Sequence, residues 1–234
     1  MTTSFFDLTN QDDRFEITPG LITNSPDGVR ALGGNDIIMG SPGADTISGN
    51  QGDDLLSGLG GPDVLTGGRN WDTLDGGDDN DVLFGNRGND LLVGGEGGDL
   101  LFGGRALDRL EGGLGNDTLW GDLGADTLIG GEGEDIFVLR PDDPDTDIIT
   151  DWNFSVDRIG LAFGLTFDQI QAVPLSTGLG DPTNPTDPAQ PPAAPTNSDA
   201  PPGVTLQLVT GKILAIIPDG RVEHFTLSRF VTAI

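Results

Sequence analysis

The chain has no cysteine, no tyrosine and a single histidine, His224, among its 234 residues. Without cysteine there is no disulfide framework and no thiol nucleophile. One histidine is too few for an H-E-x-x-H zinc site, which needs two, and a lone histidine is more often an ordinary surface or packed side chain. Because these catalytic arrangements are absent, we expect a protein that is not an enzyme.

Basic residues and long apolar runs are also scarce. The chain has eleven lysines and arginines and 38 acidic residues, which gives a net charge of −27. Such a chain repels the phosphates of a nucleic acid, so we expect no nucleic-acid partner. No run of about 18 apolar residues is present, and no membrane span is expected. The first residues also lack the basic leader and apolar core of a conventional signal peptide.

What the chain has instead is an internal repeat, unbroken from Ala31 to Val138. It consists of twelve nine-residue units, with glycine at the first place in eleven of them and an apolar residue at the eighth place in all. A fixed short period is typical of a small unit that stacks on itself. The sixth place is always aspartate: Asp36, Asp45, Asp54, Asp63, Asp72, Asp81, Asp90, Asp99, Asp108, Asp117, Asp126 and Asp135.

The residue types of one unit predict a turn followed by a strand. Glycine at places one and four, and often at place two, favours a tight turn over the first six residues. The last three residues predict a very short strand whose middle side chain points inward. Two units then form one coil of eighteen residues. The fold class that follows is all-β: a parallel β-roll of about six coils, closed by a small C-terminal β cap.

Stacking the coils brings the aspartates together. Asp36 would lie over Asp54, and Asp45 over Asp63, one coil apart. Two carboxylates about 5 Å apart repel by about 3 kcal/mol at an effective dielectric constant of about 20, and twelve aspartates in two columns make ten such pairs. A cation between each pair reverses the sign. Carboxylate and turn-carbonyl oxygens at flexible spacing suit Ca²⁺ better than Mg²⁺ or Zn²⁺, so we expect up to about ten calcium ions, bound by the twelve aspartates.

The unit resembles the RTX calcium-binding repeat, G-G-x-G-x-D-x-apolar-x. The resemblance covers 108 of the 234 residues. It implies a parallel β-roll with calcium held between successive turns by aspartate and main-chain carbonyls. The pattern departs at place four, where Asn70, Asp79 and Ala106 replace glycine. Asparagine and aspartate tolerate left-handed backbone angles, whereas alanine is strained by them.

Outside the repeats the chain divides into four segments. Residues 1–30 predict an irregular N-terminal cap over the first coil. Residues 139–173 contain D-x-I pieces that resemble, more loosely, the segment that commonly follows RTX rolls, and they predict capping strands. Residues 174–203 are rich in proline and predict a loop or linker. Residues 204–234 predict a β-hairpin and a terminal segment.

Two columns of outward-facing residues could contact a partner. Arg69, Arg87 and Arg105 recur every eighteen residues at place three of the odd units, and they form either a solvated charge column or a docking strip for a carboxylate-rich polymer or a cell surface. On the other side of the roll, places seven and nine of the even units form an apolar column that includes Phe84, Phe102 and Trp120. Exposed aromatic ladders need a cover. The C-terminal part of the chain is the expected cover, and an outside cell-surface or glycan partner is the alternative.

These observations favour a calcium-binding β-roll protein that folds when it binds calcium. The RTX resemblance further implies export, by the type I route without an N-terminal signal peptide, to the medium or the cell surface. Two alternatives remain open at this point: a calcium-dependent adhesin or glycan-binding module, and an RTX secretion partner of an enzyme.

Overall fold

The structure is a computed structural model that describes residues 5–18, 28–174, 204–218 and 225–232. Of the predicted loop at 174–203, Pro174 ends a strand, and the rest of the loop and His224 lie outside the described residues. The chain forms an all-β parallel solenoid of about seven turns of about eighteen residues, which confirms the predicted β-roll and adds one turn to the six counted in the repeats. No helix in the described ranges is long and apolar enough to cross a membrane.

Two sheets form the long faces of the roll. Sheet A contains β1 Phe6–Asp7, β3 Val29–Arg30, β5 Thr46–Gln51, β7 Val64–Arg69, β9 Val82–Arg87, β11 Leu100–Arg105, β13 Thr118–Leu123, β15 Ile136–Leu139, β17 Arg158–Leu161 and β21 Phe230–Thr232. Sheet B contains β2 Arg14–Glu16, β4 Ile37–Met39, β6 Leu55–Gly60, β8 Thr73–Asp78, β10 Leu91–Glu96, β12 Arg109–Leu114, β14 Thr127–Glu132, β16 Asp147–Ile149, β20 Ile213–Ile217, β19 Val204–Leu208 and β18 Ile170–Pro174.

The core is a double stack of the eighth-place side chains. Consecutive repeats of one sheet pair in parallel at an offset of eighteen residues, so Leu83 lies beside Leu65 and Leu101. All twelve eighth-place residues, from Ile38 to Phe137, have no solvent exposure. Each coil buries only two of these side chains for eighteen ordered residues, which makes the interior thin. Hydrophobic burial alone is therefore a weak stabiliser of this roll.

The strands are longer and the turns shorter than the sequence predicts. A full repeat strand such as β8 spans six residues, from place seven of one unit to place three of the next. The backbone bends at place two, where φ is positive in eleven of the twelve units, including Leu32 and Leu59. The predicted six-residue turn is wrong because eleven units bend alike at this place, so neighbouring coils remain hydrogen-bonded through the bend.

This boundary moves the arginine column to the same sheet as the aromatic column. Place three of an odd unit ends the strand that began at place seven of the preceding even unit. Arg87 and Phe84 consequently lie on one strand, β9, and their neighbours in the ladder are Arg69, Arg105 and Phe102. The sequence analysis had assigned the two columns to different sides. The chain leaves the sheet only at place four, and this is why they share a face.

The segments outside the repeats extend both ends of the roll. Strands β1, β2 and β3 pair onto the first repeats. At the other end, β16 and β17 continue sheets B and A, followed by β20 and β21. β19 and β20 are antiparallel and are joined at Thr210–Gly211. The described C-terminal strands therefore lie at the end of the roll and not over the aromatic column, whose rings stay half-buried.

Ala106 is strained as the sequence predicts. Its φ is 92°, and Asn70 and Asp79, the other two non-glycine residues at place four, are also left-handed. We expect Ala106→Gly to raise the melting temperature of the calcium-bound protein, because left-handed alanine costs about 1 kcal/mol or more. Thermal unfolding followed by circular dichroism measures this. Ala125→Gly, at place five where φ is not positive, should instead lower it slightly, and a fall for Ala106→Gly would contradict the strain.

Candidate metal centre: two columns of buried aspartates

The twelve repeat aspartates form two hydrogen-bonded columns, one on each side of the roll. In all of them except Asp45, the Oδ1 atom accepts a hydrogen bond from the backbone N–H of an aspartate in the preceding coil. For example, the N–H of Asp72 donates to Asp90 at 2.8 Å, and that of Asp90 donates to Asp108 at 2.8 Å. All twelve side chains are buried. The predicted stacking of Asp36 with Asp54 and of Asp45 with Asp63 is present.

The second carboxylate oxygen, Oδ2, has no hydrogen-bond partner in the described part of the protein in most of the column. In eleven of the twelve aspartates, all except Asp45, the Oδ2 atom is buried and has no hydrogen-bond partner. A buried ionised oxygen without a partner is strongly unfavourable. Eleven repetitions of one such atom indicate a common missing partner of positive charge.

Place-one glycine leaves room for the Oδ2 atom itself. A Cβ atom added to Gly85 would lie 2.6 Å from Oδ2 of Asp90 and 2.6 Å from the carbonyl oxygen of Gly103, one coil later. A carboxylate oxygen and a carbonyl oxygen therefore converge beside the bare Cα of Gly85. Place-one glycines do not have positive φ, so this place requires glycine for space and not, as the sequence analysis assumed, for its backbone angles.

Burial also raises the pKa of these carboxyl groups. The pKa of Asp72 and of Asp126 rises to about 8, first because burial disfavours the charged form, with the N–H bond to Oδ1 opposing the rise and neighbouring carboxylates adding to it. The pKa values of Asp63, Asp108 and Asp117 rise to about 7 for the same leading reason. The metal-free columns are thus poorly suited to carrying full negative charge.

Asp45 is the exception among the twelve. Its Oδ2 accepts a hydrogen bond from the N–H of Ser41 at 2.6 Å, inside its own turn. That turn contains Pro42, and neither Ser41 nor Gly43 is left-handed. The different turn geometry presents an N–H group to the carboxylate, so Asp45 has less need of a cation than its eleven counterparts.

The structure extends both columns by one residue that the repeat pattern misses. The N–H of Asp126 donates to Oδ1 of Asp147 at 3.1 Å, and the N–H of Asp135 donates to Oδ1 of Asp157 at 3.2 Å. Both added side chains are buried, and burial raises the pKa of Asp147 to about 7. The available signal was the Asp-x-Ile spacing of Asp147 and Asp157, which matches places six to eight of a unit although the nine-residue period has ended.

The donor set fits a cation that prefers oxygen. In the part of the chain that the structure describes, no three side chains of His, Cys, Asp or Glu converge as a ready-made metal cluster. A cation in the columns would therefore depend on carboxylates of successive coils together with backbone carbonyls. Oxygen-only coordination with loose geometry suits Ca²⁺, whereas Zn²⁺ prefers nitrogen and sulfur and Mg²⁺ demands a near-ideal octahedron.

Comparison with known proteins agrees with this chemistry. Three consecutive segments, residues 30–65, 66–101 and 102–137, match the family model for the RTX calcium-binding nonapeptide repeat, which holds four copies of the repeat. A search of curated proteins gave no significant match. The matched segments are the stacked coils whose aspartates carry the unpartnered oxygens, and residues 30–137 are therefore RTX-type calcium-binding nonapeptide repeats that form a parallel β-roll.

Proposed function

We propose that this protein is a calcium-triggered β-roll whose folding, and not a catalytic step, is its biochemical activity. The observation that carries the proposal is the set of eleven buried Oδ2 atoms without a partner. In the proposal, calcium ions lie between successive coils, held by the twelve repeat aspartates and at the C-terminal end by Asp147 and Asp157. Each inner aspartate contributes to the sites above and below it. Residues 31–138 contain 21 acidic and 4 basic residues. About ten calcium ions would bring the net charge of this segment close to neutral.

Calcium titration tests this arrangement. Because one ion orders half of the next site, we expect sigmoidal binding, with half-saturation in the roughly 10⁻⁴–10⁻³ M range of extracellular calcium modules. Isothermal titration of the dialysed protein, with bound metal counted by elemental analysis, should give about ten ions. Independent, identical sites of submicromolar affinity would contradict the shared-ligand arrangement.

A matched pair of variants sharpens the titration. Asp90→Asn lies in the middle of one column and would weaken two sites, above and below. Asp53→Asn, one residue before Asp54 and exposed, removes the same charge without removing a column member. We expect the first variant to lower both the cooperativity and the number of ions, and the second to leave both near the parent values. Equal effects of the two variants would show that calcium binding depends on total negative charge and not on the column residues.

We further propose that the protein works outside the cell, after type I export. Support comes from the RTX family match and from the charge of −27, which keeps an unfolded chain soluble. Accumulation in the medium of cells that carry a type I exporter, and not of cells that lack it, is the expected result. Equal accumulation in both would contradict this route.

A surface-binding role is a second candidate function. Phe84 and Phe102 stack with their ring centroids 5.0 Å apart, and Trp120 continues the ladder at 5.8 Å. The three side chains stay half-buried on sheet A. A half-covered aromatic ladder on a repeat protein is a common place for a partner. Loss of surface or glycan binding in a Phe102→Ser variant that still folds with calcium would support this candidate, and unchanged binding would contradict it.

A further inference from the structure

Two parallel rows of side chains run along the outside of sheet A and enclose a groove. One row comes from place nine and passes from Ser48 and Thr66 to Phe84. The other comes from place three and holds Arg69, Arg87 and Arg105. Between them lie the place-two residues, and the groove has a volume of about 410 Å³. Its lining is Ser48, Asn50, Thr66, Gly68, Arg69, Asn86, Arg87 and Arg105.

Within the described ranges, the three arginines have no partner of opposite charge. All are exposed, and none takes part in the five ion pairs found among the described residues. Arg69 pairs in register with Arg87, and Arg87 with Arg105, so like charges lie directly beside one another. Such pairs destabilise a sheet unless an anion lies between or above them. In a protein with 38 acidic residues, this row without a counter-charge points to a ligand.

The opposite face has the reverse character. On sheet B the place-three row holds Asp78, Glu96 and Glu132, and Arg109 there is paired with Glu111 at 2.6 Å. An extended anion would therefore be attracted to one face of the roll and repelled by the other. Calcium in the columns would remove most of the general repulsion and leave the arginine row as the dominant local field.

We propose that the groove of sheet A binds a linear polysaccharide of uronic acids, lying along the roll axis with its carboxylates on Arg69, Arg87 and Arg105. The inference deepens the surface-binding candidate above and rests on the calcium-folded roll. Guanidinium groups bind carboxylates in a two-pronged manner. The hydroxyl and amide groups of Ser48, Thr66, Asn50 and Asn86 match the hydroxyl groups of sugar rings.

The polar lining favours this ligand over other polyanions. The arginines recur at the strand spacing of about 4.8 Å, so a polymer that carries a carboxylate on every ring can contact the row along its length. The hydroxyl and amide groups beside the arginines would bond to ring hydroxyl groups, which an acidic peptide and the backbone of DNA lack.

The test is binding of an oligogalacturonate, too short to gel with calcium, to the full chain in millimolar calcium. We expect saturable binding that weakens with salt and is lost for the methyl ester of the same oligomer, which keeps the rings and removes the charge. Arg87→Gln should weaken binding about tenfold, as expected for one lost hydrogen bond to a charged group. Arg109→Gln is the matched control on sheet B and should bind like the parent.

Several outcomes would overturn the assignment. Equal weakening by Arg87→Gln and Arg109→Gln would show that the attraction is not specific to the groove. Binding of poly-glutamate or single-stranded DNA as tight as that of the uronate would show that sugar rings are not required. Circular dichroism with calcium separates the two proposals, since a parent protein that folds but binds no oligomer contradicts this inference alone. If Arg87→Gln does not fold, Arg87→Lys keeps the charge and loses the two-pronged geometry, and it should bind with intermediate affinity; parent-like affinity would contradict the inference.

Discussion

Stripped of calcium at neutral pH, the protein is expected to be an expanded chain with little β-structure, and millimolar calcium is expected to fold it. Each stacked pair of ionised aspartates opposes folding by about 3 kcal/mol. The interior offers only two fully buried side chains per coil against this repulsion. Ten pairs exceed the 5–15 kcal/mol that typically stabilises a whole domain. Binding free energy and folding free energy are therefore one quantity here.

Circular dichroism and small-angle scattering measure the transition. For 234 residues, we expect the radius of gyration to fall from about 50 Å towards about 20 Å when calcium replaces chelator. Magnesium at the same concentration is the control, and it should not fold the chain because its octahedral preference fits these turns poorly. A compact, β-rich protein in excess chelator would refute the switch and leave calcium as a bystander.

Protonation at low pH is a second way to neutralise the charge of the aspartate columns. The folded-state pKa of Asp72 and Asp126 is raised to about 8 by burial, against about 3.9 for an unfolded aspartate. A raised folded pKa means that the folded state holds more protons than the unfolded one. Its contribution to stability is complete below about pH 4 and is lost as pH rises towards 8. The metal-free protein should thus regain β-structure between pH 8 and about pH 5, and no gain on acidification would contradict burial of the columns.

Replacement of Gly94 by alanine is expected to disrupt one calcium site and the coil around it. A Cβ there would overlap Oδ2 of Asp99 and the carbonyl oxygen of Gly112, the two oxygens that converge beside this place-one residue. Neither atom can retreat, since Asp99 is buried and hydrogen-bonded to the coil before it. Overpacking typically costs 1–3 kcal/mol, and loss of an ion adds to it. We expect a melting temperature in calcium lower by about 10 °C and a weaker midpoint in the calcium titration.

Gly98→Ala, in the same unit, is the matched control. Its φ is not left-handed, and the nearest atom to an added Cβ is the carbonyl oxygen of Asn116 at 3.2 Å, with side-chain atoms of Asn80 further away. This variant should keep the calcium midpoint and lose little stability. If Gly94→Ala behaves like Gly98→Ala, place one has no special role beside the carboxylate.

The columns of the repeat were predictable from sequence because each follows from one invariant chemical need. Asp90 and Leu92 belong to two columns that recur in register. The carboxylate of Asp90 needs hydrogen bonds or an ion, and the apolar side chain of Leu92 needs burial. The bend at Leu59 was not predictable, since leucine rarely takes a left-handed angle. Its ladder partner Gly77 has the same bend, whereas Ser41 in the preceding coil does not. Asp157 was missed as a column member because the loop before it changes length while the three residues that matter keep their spacing.

The position of the described C-terminal strands relative to the aromatic ladder was not predictable for a different reason. Phe102 and Trp120 looked like core residues awaiting a cover, because large apolar side chains favour burial. Their rings shield one another by stacking along the roll, which no inspection of single strands reveals. The C-terminal strands instead completed the ends of both sheets, where backbone N–H and C=O groups would otherwise be unpaired.

The hydrogen bonds of the aspartate columns all run in one direction. Every column N–H, from Asp13 through Asp126, donates to a carboxylate that occurs later in the chain. Each turn is therefore completed by residues that a ribosome has not yet made when that turn emerges, and the last two turns wait for Asp147 and Asp157. Each coil of the nascent polypeptide therefore gains its carboxylate partners only after the next coil has been made. The order of the residues delays assembly by one coil throughout translation.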